Sequence, residues 1–403
     1  MNCRSCESAH VTSILSLGQM PLANRLLTSE QLADIEPKFN LEIMLCENCG
    51  LVQLKDLVNP EVLFNEYLYF SSNSVTMLES ASQLVDKLIK DLPKNAKIIE
   101  IASNDGYLLQ YYQNKNFDVL GIEPAQNIAA HANAKGINTR AEFFTSALAD
   151  TLLSENIQAD IIHANNVMAH VPNINDFILG IKKLLTPKGK AIIEVPYLLN
   201  LIDEFKFDTI YHEHVYYFAL IPLLALFNRH HLMILDVEKI SIHGGSLRLY
   251  IGHQDQRKPS QAVSDIIAHE ALLNIKQPSY YEKFSQGITH IKNTLHQQLQ
   301  TLKDQNKRIA AYGASAKGTT LLNYFGIGKE TIDFVVDVSP FKQGYHTPGT
   351  YLKINPVDHL IKEKIDYTLL LTWNFSEEIL KQQEEYRAGG GKFIIPIPEV
   401  MVV

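Results

Sequence analysis

The sequence predicts an α/β protein with three parts: a small zinc-binding module at the N-terminus, a central Rossmann-like domain and a smaller Rossmann-like α/β domain at the C-terminus. All four cysteines of the 403-residue chain fall into two Cys-x-x-Cys pairs near its start. Short apolar segments alternate with helical patterns over residues 98–195, and again over residues 308–396. Buried strands that alternate with helices are typical of parallel sheets covered by helices on both faces.

The N-terminal module, residues 1–80, is predicted to bind one structural zinc ion. Each Cys-x-x-Cys places two thiolates on one tight turn, and two such turns supply the four sulfur ligands of a closed zinc site. Nothing at the N-terminus resembles a secretory signal, which argues against disulfides, and a redox dithiol needs one pair rather than two. The expected ligands are Cys3, Cys6, Cys46 and Cys49.

Two further domains are predicted at residues 81–255 and 256–403. The predicted strands of the central domain are residues 98–101, 119–123, 161–164 and 191–195, and those of the C-terminal domain are residues 308–312, 332–337, 367–371 and 392–396. Residues 74–92, 107–112 and 177–185 show helical spacing, and residues 257–306 are predicted to form one or two helices.

Composition excludes several classes of protein. The net charge is −8, and no dense cluster of lysine and arginine indicates a nucleic-acid partner. No apolar run approaches the roughly 20 residues of a membrane span. With cysteines committed to metal and no targeting segment, a cytoplasmic location is expected.

The turn after the first central strand is a predicted cofactor site. It occupies the place of the glycine-rich turn of nucleotide-binding α/β folds, where backbone approaches a ligand at the carboxyl end of a strand. Glu123 closes the next strand, 23 residues after Glu100, where an acid usually binds ribose hydroxyls. The alternative is a buried strand with Asp105 as an acidic helix cap. The predicted cofactor-binding residues are Glu100, Ala102, Ser103, Asn104, Asp105, Gly106, Glu123, Pro124 and Asn166.

A second candidate cluster lies in residues 207–214, beyond the predicted sheet edge. Tyr211, His212, Glu213 and His214 place a phenol, imidazoles and a carboxylate within four residues. His-x-His supplies only two metal ligands, and ordinary structural histidines are the other alternative. An imidazole titrates near neutral pH and can therefore accept a proton at working pH.

The C-terminal domain carries a predicted anion site. Residues 312–320 form a strand, a small-residue turn and a helix start, where backbone amides and Lys317 could hold phosphate. The predicted substrate-binding residues are Gly313, Ser315 and Lys317, with Lys342 from the loop after the next strand. A tightly packed turn without a ligand is the alternative. Core packing is predicted for Trp373, and a plain hairpin turn is one of two interpretations of residues 243–245.

The succession of central motifs resembles class I S-adenosylmethionine-dependent methyltransferases. Six motifs, in order across nearly the whole chain, are more specific: the paired Cys-x-x-Cys, Tyr-Leu-Tyr-Phe-Ser-Ser at 67–72, Glu-Ile-Ala-Ser-Asn-Asp-Gly at 100–106, Gly-Ile-Glu-Pro-Ala at 121–125, Tyr-His-Glu-His at 211–214 and His-Gly-Gly-Ser-Leu-Arg at 243–248. Together they resemble the sugar C-methyltransferases that act on nucleotide-linked keto-deoxysugars.

The resemblance implies a three-domain monomer that uses S-adenosylmethionine and zinc. It implies His214 as the base, with Tyr211 and Glu213 beside it and His170 close to the sugar. It also implies a tyrosine from the linker, Tyr69 or Tyr67; many relatives carry a further tyrosine where this chain has Asn73.

The expected reaction is transfer of a methyl group to C3 of a dTDP-linked 4-keto-6-deoxysugar, through an enolate formed by the base. A sugar carbon becomes nucleophilic only beside a carbonyl, where loss of its proton gives an enolate. Two alternatives remain: an O- or N-methyltransferase for small molecules, and a zinc-ribbon binding protein that has lost catalysis.

Overall fold

The computed structural model describes residues 1–59, 62–63, 70–254 and 258–403, and it arranges them around three β-sheets. Both predicted linker tyrosines, Tyr67 and Tyr69, lie outside the described residues. In chain order the strands are β1 (Val11–Pro21), β2 (Lys38–Cys46), β3 (Val52–Leu54), β4 (Lys97–Ile101), β5 (Asp118–Ile122), β6 (Thr139–Arg140), β7 (Ala159–Asn165), β8 (Leu185–Pro196), β9 (Tyr216–Tyr217), β10 (Leu232–Ile240), β11 (Ser246–His253), β12 (Ile309–Tyr312), β13 (Val335–Val336), β14 (Ile354–Asn355), β15 (Tyr367–Leu370), β16 (Lys392–Ile395) and β17 (Met401–Val402).

The α-helices of the described residues lie between these strands. They are α1 (Val75–Leu88), α2 (Leu109–Gln113), α3 (Gln126–Ala134), α4 (Ser146–Ser154), α5 (Ile174–Leu184), α6 (Leu198–Asp203), α7 (Leu220–Arg229), α8 (Gln261–Leu272), α9 (Glu282–Asp304), α10 (Ala316–Phe325), α11 (His359–Lys362), α12 (Ser376–Gln382) and α13 (Glu384–Ala388). None of them combines the length and hydropathy needed to cross a membrane.

The N-terminal sheet has the strand order β1-β2-β3-β9 and is antiparallel. Its first three strands come from the predicted zinc module, whereas β9 comes from the chain directly after the predicted catalytic segment. Val52 pairs with Tyr217 and Gln53 with Tyr216. The predicted catalytic segment therefore continues into the edge strand of the zinc module's sheet.

The central sheet has the order β6-β5-β4-β7-β8-β11-β10. Strands β4 to β8 are parallel, as predicted, and β10 and β11 form an antiparallel hairpin added beside β8. The turn of that hairpin contains Ile242–Gly244, and Gly244 and Gly245 both have positive φ. Residues 243–245 thus lie in a hairpin turn, as one of the two interpretations predicts. The helix predicted at residue 107 begins two residues later, at Leu109, because Gly106 still has a left-handed backbone.

The C-terminal sheet has the order β14-β13-β12-β15-β16-β17, with a parallel core and an antiparallel edge at β17. The strand predicted at residues 332–337 is shorter, because regular pairing with β12 and β14 is limited to Val335 and Val336. Two helices, α8 and α9, fill the predicted helical stretch before this sheet. The predicted α/β fold class is confirmed.

A buried carboxylate joins α8 to the central domain. Glu270 accepts hydrogen bonds from the backbone N–H groups of Leu220 and Ile221 at the start of α7, and from the Tyr197 hydroxyl. Residues beyond the predicted boundary at 255 thus pack on the central sheet's helices. The boundaries at residues 80 and 255 remain predictions.

Candidate active site and zinc site

The four cysteines lie together at one end of the N-terminal sheet. Their sulfur atoms are all within 4.8 Å of one another, with 3.7 Å between Cys3 and Cys49 and 3.5 Å between Cys6 and Cys46. Sulfur atoms around one tetrahedral zinc ion, each about 2.3 Å from the metal, lie about 3.8 Å apart. A disulfide needs about 2.05 Å instead. The cluster therefore fits the predicted zinc ion.

The first zinc turn is connected to strand β3. The Arg4 guanidinium donates to the backbone oxygens of Leu54 at 2.5 Å and Lys55 at 2.9 Å, and the Arg4 backbone N–H donates to Gln53 Oε1 at 3.0 Å. Because Gln53 pairs in turn with Tyr216 of β9, the metal turn supports the strand that follows the catalytic segment.

The predicted cofactor turn leaves β4 in a conformation that few residues adopt. Ala102, Asn104 and Gly106 all have positive φ. A Cβ atom at Gly106 would lie 2.2 Å from a side-chain carbon of Ile137. The turn therefore needs glycine at this one position, and its other two left-handed residues are held by contacts that the surrounding loops provide.

Glu123 holds this turn from the end of the neighbouring strand. Its carboxylate accepts hydrogen bonds from the backbone N–H groups of Asn104 at 3.0 Å and Ala125 at 2.9 Å. Burial raises the pKa of Glu123, and these two hydrogen bonds oppose the rise. Pro124 follows it immediately, before α3 begins. Glu123, the predicted ribose-binding acid, thus lies at the turn, and its oxygens can accept further hydrogen bonds from ribose hydroxyl groups.

Glu100 is the most deeply buried acid near the turn. Its side chain is 1% exposed, and Oε2 has no hydrogen-bond partner among the described residues. Burial raises its pKa well above the ordinary value, and the charges of Glu123, Asp105 and Glu194 add to the rise. An unsatisfied acid among other acids favours a cationic ligand, so it fits the amino and sulfonium groups of S-adenosylmethionine.

The remaining predicted cofactor residues surround the same turn. Asp105 accepts hydrogen bonds from Ser72 and from Lys135 Nζ at 3.1 Å, so it closes the turn rather than facing outward. Ser103 is fully buried, and Asn166, which has positive φ, follows β7. Neither Ser103 Oγ nor Asn166 Oδ1 has a hydrogen-bond partner within the described part of the chain. These polar atoms fit a ligand at the carboxyl edge of the sheet.

Three predicted catalytic residues are brought into contact beyond the central sheet. The Tyr211 hydroxyl lies 3.0 Å from His214 Nε2, and the His170 and His214 ring centroids are 4.9 Å apart. His214 Nδ1 lies 2.7 Å from the carbonyl oxygen of Thr209. A carbonyl can only accept, so Nδ1 carries the proton and Nε2 accepts from Tyr211. The nitrogen beside Tyr211 is therefore the basic one.

His170 is a neutral imidazole in this cluster. Burial lowers its pKa to about 4, and a hydrogen bond to the backbone of Glu213 opposes that shift. The Val215 N–H donates to the carbonyl of Ala169 at 2.7 Å, which joins the loop of His170 to the loop of His214. A neutral imidazole next to a base can donate or accept a hydrogen bond without repelling a newly formed imidazolium.

Glu213 contacts a residue that the sequence did not single out. The Asn24 amide, from the chain after β1, donates to Glu213 Oε1 at 2.7 Å. Burial raises the pKa of Glu213 to about 7, and the hydrogen bond from Asn24 opposes the rise. His212, by contrast, packs against Phe39 of β2 at 5.8 Å between ring centroids. The zinc module therefore contributes a side chain to the cluster, and no sequence spacing links Asn24 to Glu213.

The predicted anion turn in the C-terminal domain is also formed. Gly313 has a φ of 95°, and a Cβ atom there would lie 2.5 Å from a methyl carbon of Thr372. The Ser315 side chain caps α10 by accepting from the Gly318 N–H at 3.1 Å. Lys317, in the first turn of α10, lies over the Trp373 ring, 5.2 Å from its centroid. The turn thus places amides and one cation at a helix start.

Asp337 is a second residue that was not assigned a role. It accepts from the backbone N–H groups of Ala314 and Ser339, both at 2.8 Å, and Lys342 Nζ donates to the Ala314 carbonyl at 2.8 Å. Glu123 does the same for the cofactor turn. The sequence does contain a signal for Asp337, because this acid closes the predicted strand at residues 332–337, 24 residues after Gly313, much as Glu123 closes the strand after Glu100.

Comparison with protein families and relatives covers nearly the whole chain. A zinc binding domain family matches residues 3–64, a methyltransferase domain family matches residues 75–235, and a C-methyltransferase C-terminal domain family matches residues 241–398. C-methyltransferase NovU from Streptomyces niveus is 32% identical over 404 residues, which span 100% of this chain and 96% of NovU.

Two solved methyltransferase structures are each similar to less than half of the chain. A TehB-like S-adenosylmethionine-dependent methyltransferase from Corynebacterium glutamicum is 16% identical and covers 43% of this chain and 86% of its own, with a TM-score of 0.32. Magnesium protoporphyrin IX methyltransferase from Synechocystis is 13% identical and covers 48% of this chain and 90% of its own, with a TM-score of 0.36. The full-length match to NovU, together with the three domain matches in order, shows that the chain belongs to the S-adenosylmethionine-dependent C-methyltransferase family with an N-terminal zinc-binding domain.

Proposed function

We propose that this protein transfers a methyl group from S-adenosylmethionine to C3 of a dTDP-linked 4-keto-6-deoxysugar. The observation that carries the proposal is the hydrogen bond from His214 Nδ1 to the Thr209 carbonyl, 2.7 Å long. It leaves Nε2 as the basic nitrogen, beside a phenol and a neutral second histidine. Such a group can remove a proton from carbon next to a carbonyl.

His214 is the proposed base. In the free protein, Nε2 accepts the Tyr211 hydroxyl at 3.0 Å. A bound ketone at O4 gives Tyr211 another acceptor, so Nε2 can take the proton from C3 while the electron pair of that C–H bond moves into the C3–C4 bond. Positioned proton transfer of this kind contributes on the order of 10² to 10⁴ in rate.

The charge that develops on O4 needs donors, and the cluster supplies them. Tyr211 can donate its hydroxyl proton, and His170 is neutral because burial lowers its pKa to about 4. Donors placed where charge develops act strongly in a site from which water is excluded. S-adenosylmethionine would be held by Glu100, Glu123 and the turn after β4, and would supply an electrophilic methyl group to the enolate carbon. The electrons of the broken methyl C–S bond would leave with S-adenosylhomocysteine as the C4 ketone re-forms.

The C-terminal turn is proposed to hold the nucleotide part of the substrate. Lys317 and Lys342 offer two cations for a diphosphate beside Gly313 and Ser315, where α10 begins. Binding energy from this remote part of the substrate can position the reacting carbon. The proposal thus gives each group its own site: the turn after β4 for the cofactor, the cluster around His214 for the sugar, and the C-terminal turn for the nucleotide.

The test is a product analysis. The protein is incubated with labelled S-adenosylmethionine and freshly prepared nucleotide-linked 4-keto-6-deoxysugars, and NMR identifies the methylated atom. We expect a new methyl carbon bonded to C3, and no product from the matched sugar that carries a 4-hydroxyl in place of the ketone. A methyl group found on oxygen or nitrogen would show that the reaction is not C-methylation of a keto-sugar.

A further inference from the structure

We propose that Asp208 is a positioning residue that links the nucleotide turn of the C-terminal domain to the tautomer of His214. This inference rests on the proposed role of His214 as the base. Asp208 lies six residues before His214, in the short 3-10 turn Phe207–Thr209, and its side chain is fully buried.

Asp208 contacts the C-terminal domain through the only tryptophan of the chain. The indole N–H of Trp373 donates to Asp208 Oδ2 at 2.6 Å, and Trp373 is 6% exposed. Asp208 Oδ1 has no hydrogen-bond partner among the described residues. Trp373 follows β15, so this bond joins the carboxyl edge of one sheet to the segment that carries the proposed base.

The charge of Asp208 is balanced from the nucleotide turn. Burial raises the pKa of Asp208, and the charge of Lys317, which lies over the ring of Trp373, opposes that rise, as does the charge of Lys206. A buried carboxylate with one unbonded oxygen depends on such nearby cations to stay charged. Lys317 is also a proposed diphosphate ligand, so one of the two lysines that favour the charged form of Asp208 belongs to the proposed nucleotide site.

Packing fixes the same segment on α10. The Phe207 ring lies 4.9 Å from that of Phe325 and 5.5 Å from that of Tyr324, measured between centroids. Helix α10 begins at the nucleotide turn and ends at these two rings. The turn Phe207–Thr209 is therefore held by apolar packing against the end of α10 and by the hydrogen bond between Asp208 and Trp373.

The consequence for the base follows from Thr209. Its carbonyl accepts the Nδ1 proton of His214, and it lies one residue after Asp208. A displacement of this carbonyl would release Nδ1 and allow the proton to move to Nε2, which removes the base. Asp208 thus acts on the chemistry through Thr209 and touches no reacting atom.

Two variants test this link. Asp208→Asn keeps an acceptor for Trp373 but removes the charge next to Lys317, and Trp373→Phe keeps the ring under Lys317 but removes the indole donor. Each has a matched control: Glu270→Gln neutralises another fully buried carboxylate, and Tyr281→Phe removes another buried donor, which bonds the Ile275 carbonyl.

Two readouts separate positioning from simple structural support. Nitrogen-15 NMR of histidine-labelled protein, with the His214 signal assigned by its loss in His214→Asn, reports the tautomer in the free protein. We expect an Nδ1-protonated ring in the wild type and in both controls, and a mixture of tautomers in Asp208→Asn and Trp373→Phe. Turnover should fall at least tenfold in both test variants, with KM and dTDP affinity changed less than threefold.

Two results would overturn the inference. The first is a lower melting temperature in the test variants with an unchanged tautomer and unchanged turnover, which would make Asp208 a structural contact only. The second is a loss of dTDP affinity equal to the loss of turnover, which would place Asp208 in substrate binding. If the wild type methylates no keto-sugar, the proposed function fails, and the tautomer measurement in the free protein still decides whether Asp208 controls His214.

Discussion

At the scale of single residues, burial and one backbone carbonyl determine which protonation states the site can use. The Thr209 carbonyl sets the proton of His214 on Nδ1, and burial keeps His170 neutral. Glu213 is the exception, because its pKa of about 7 lies in the working range. Its charge state is therefore open to a direct test.

We predict that Glu213 makes the fold less stable as pH rises. Its pKa, about 7 in the folded protein, lies above the ordinary value of 4.5. The folded protein therefore keeps a proton that the unfolded chain loses between these values, and this contribution is fully present below pH 4.5 and lost as pH passes about 7. The loss is on the order of 3 kcal/mol.

Melting temperatures at pH 5 and pH 8 check this prediction. The side chain of Glu213→Gln stays neutral at both pH values. The melting temperature of the variant should therefore exceed that of the wild type at pH 8 and equal it at pH 5. The exposed Glu385→Gln serves as the control. Parallel pH profiles for wild type and Glu213→Gln would show that Glu213 keeps an ordinary pKa.

We predict that Glu123→Ala lowers the affinity for S-adenosylmethionine at least about tenfold, while the affinity for dTDP changes less than twofold. The variant removes the acceptor for the Asn104 N–H as well as the proposed ribose contact, and hydrogen bonds to a charged group contribute about 1.5 to 3 kcal/mol. Calorimetry with each ligand measures both affinities. Asp337→Ala is the matched variant and should show the reverse pattern. Equal losses of both ligands in either variant would mean that the two sites are not separate.

Sequence patterns revealed the residues whose chemistry depends on local spacing. The two cysteine pairs and the acid 23 residues after Glu100 are patterns of residue type and spacing that can be read along the chain. The structure brings the four cysteines together as expected. Asn24 and Asp208 could not be found in this way. Their partners, Glu213 and Trp373, are 189 and 165 residues away along the chain, so only the tertiary fold shows the contacts.

At the scale of secondary-structure elements, the zinc turns support the catalytic segment through a strand. Arg4 lies between the first two cysteines and donates to the carbonyls of Leu54, the last residue of β3, and of Lys55. Strand β3 pairs with β9, which directly follows Val215. A two-residue strand has few hydrogen bonds of its own, so its position depends on this partner. The zinc module thus acts on the position of the site.

We predict that Arg4→Met keeps about one equivalent of zinc but lowers turnover roughly tenfold. The variant leaves all four thiolates in place and removes the guanidinium contacts to Leu54 and Lys55. Metal analysis and steady-state kinetics measure the two effects. Lys55→Met, which removes only the exposed ion pair with Glu42, should resemble the wild type. Wild-type turnover in Arg4→Met would show that the zinc turn does not position β9.

Sequence patterns missed the strands that are only two residues long or that pair with a strand far away along the chain. Strands β4, β5 and β7 and residues 191–195 of β8 are largely apolar and buried, so their composition predicts them. The first half of β8 is polar and partly exposed, and composition does not predict it. Strand β9 has only two residues, and its partner β3 lies about 160 positions earlier. Strand β13 is regular over two residues only, because the chain on either side of it turns into loops.

At the scale of the whole molecule, all three sheets meet at residues 207–217. Strand β9, within this segment, belongs to the N-terminal sheet through its pairing with β3. His170, in the loop after β7 of the central sheet, contacts His214. Trp373, which follows β15 of the C-terminal sheet, bonds Asp208. One continuous buried core includes residues of all three sheets. A site built by three sheets can bring the cofactor and the proposed substrate to one segment.

The central claim is that His214 removes the C3 proton, and hydrogen–deuterium exchange tests it without a methyl donor. A dTDP-linked 4-keto-6-deoxysugar is incubated with the protein in deuterium oxide, and NMR follows the C3 hydrogen. We expect exchange with the wild type and at least a hundredfold slower exchange with His214→Asn, while dTDP and S-adenosylmethionine affinities stay unchanged. If His214→Asn exchanges that hydrogen as fast as the wild type does, another residue is the base, and His170, with its ring centroid 4.9 Å from that of His214, is the next to replace.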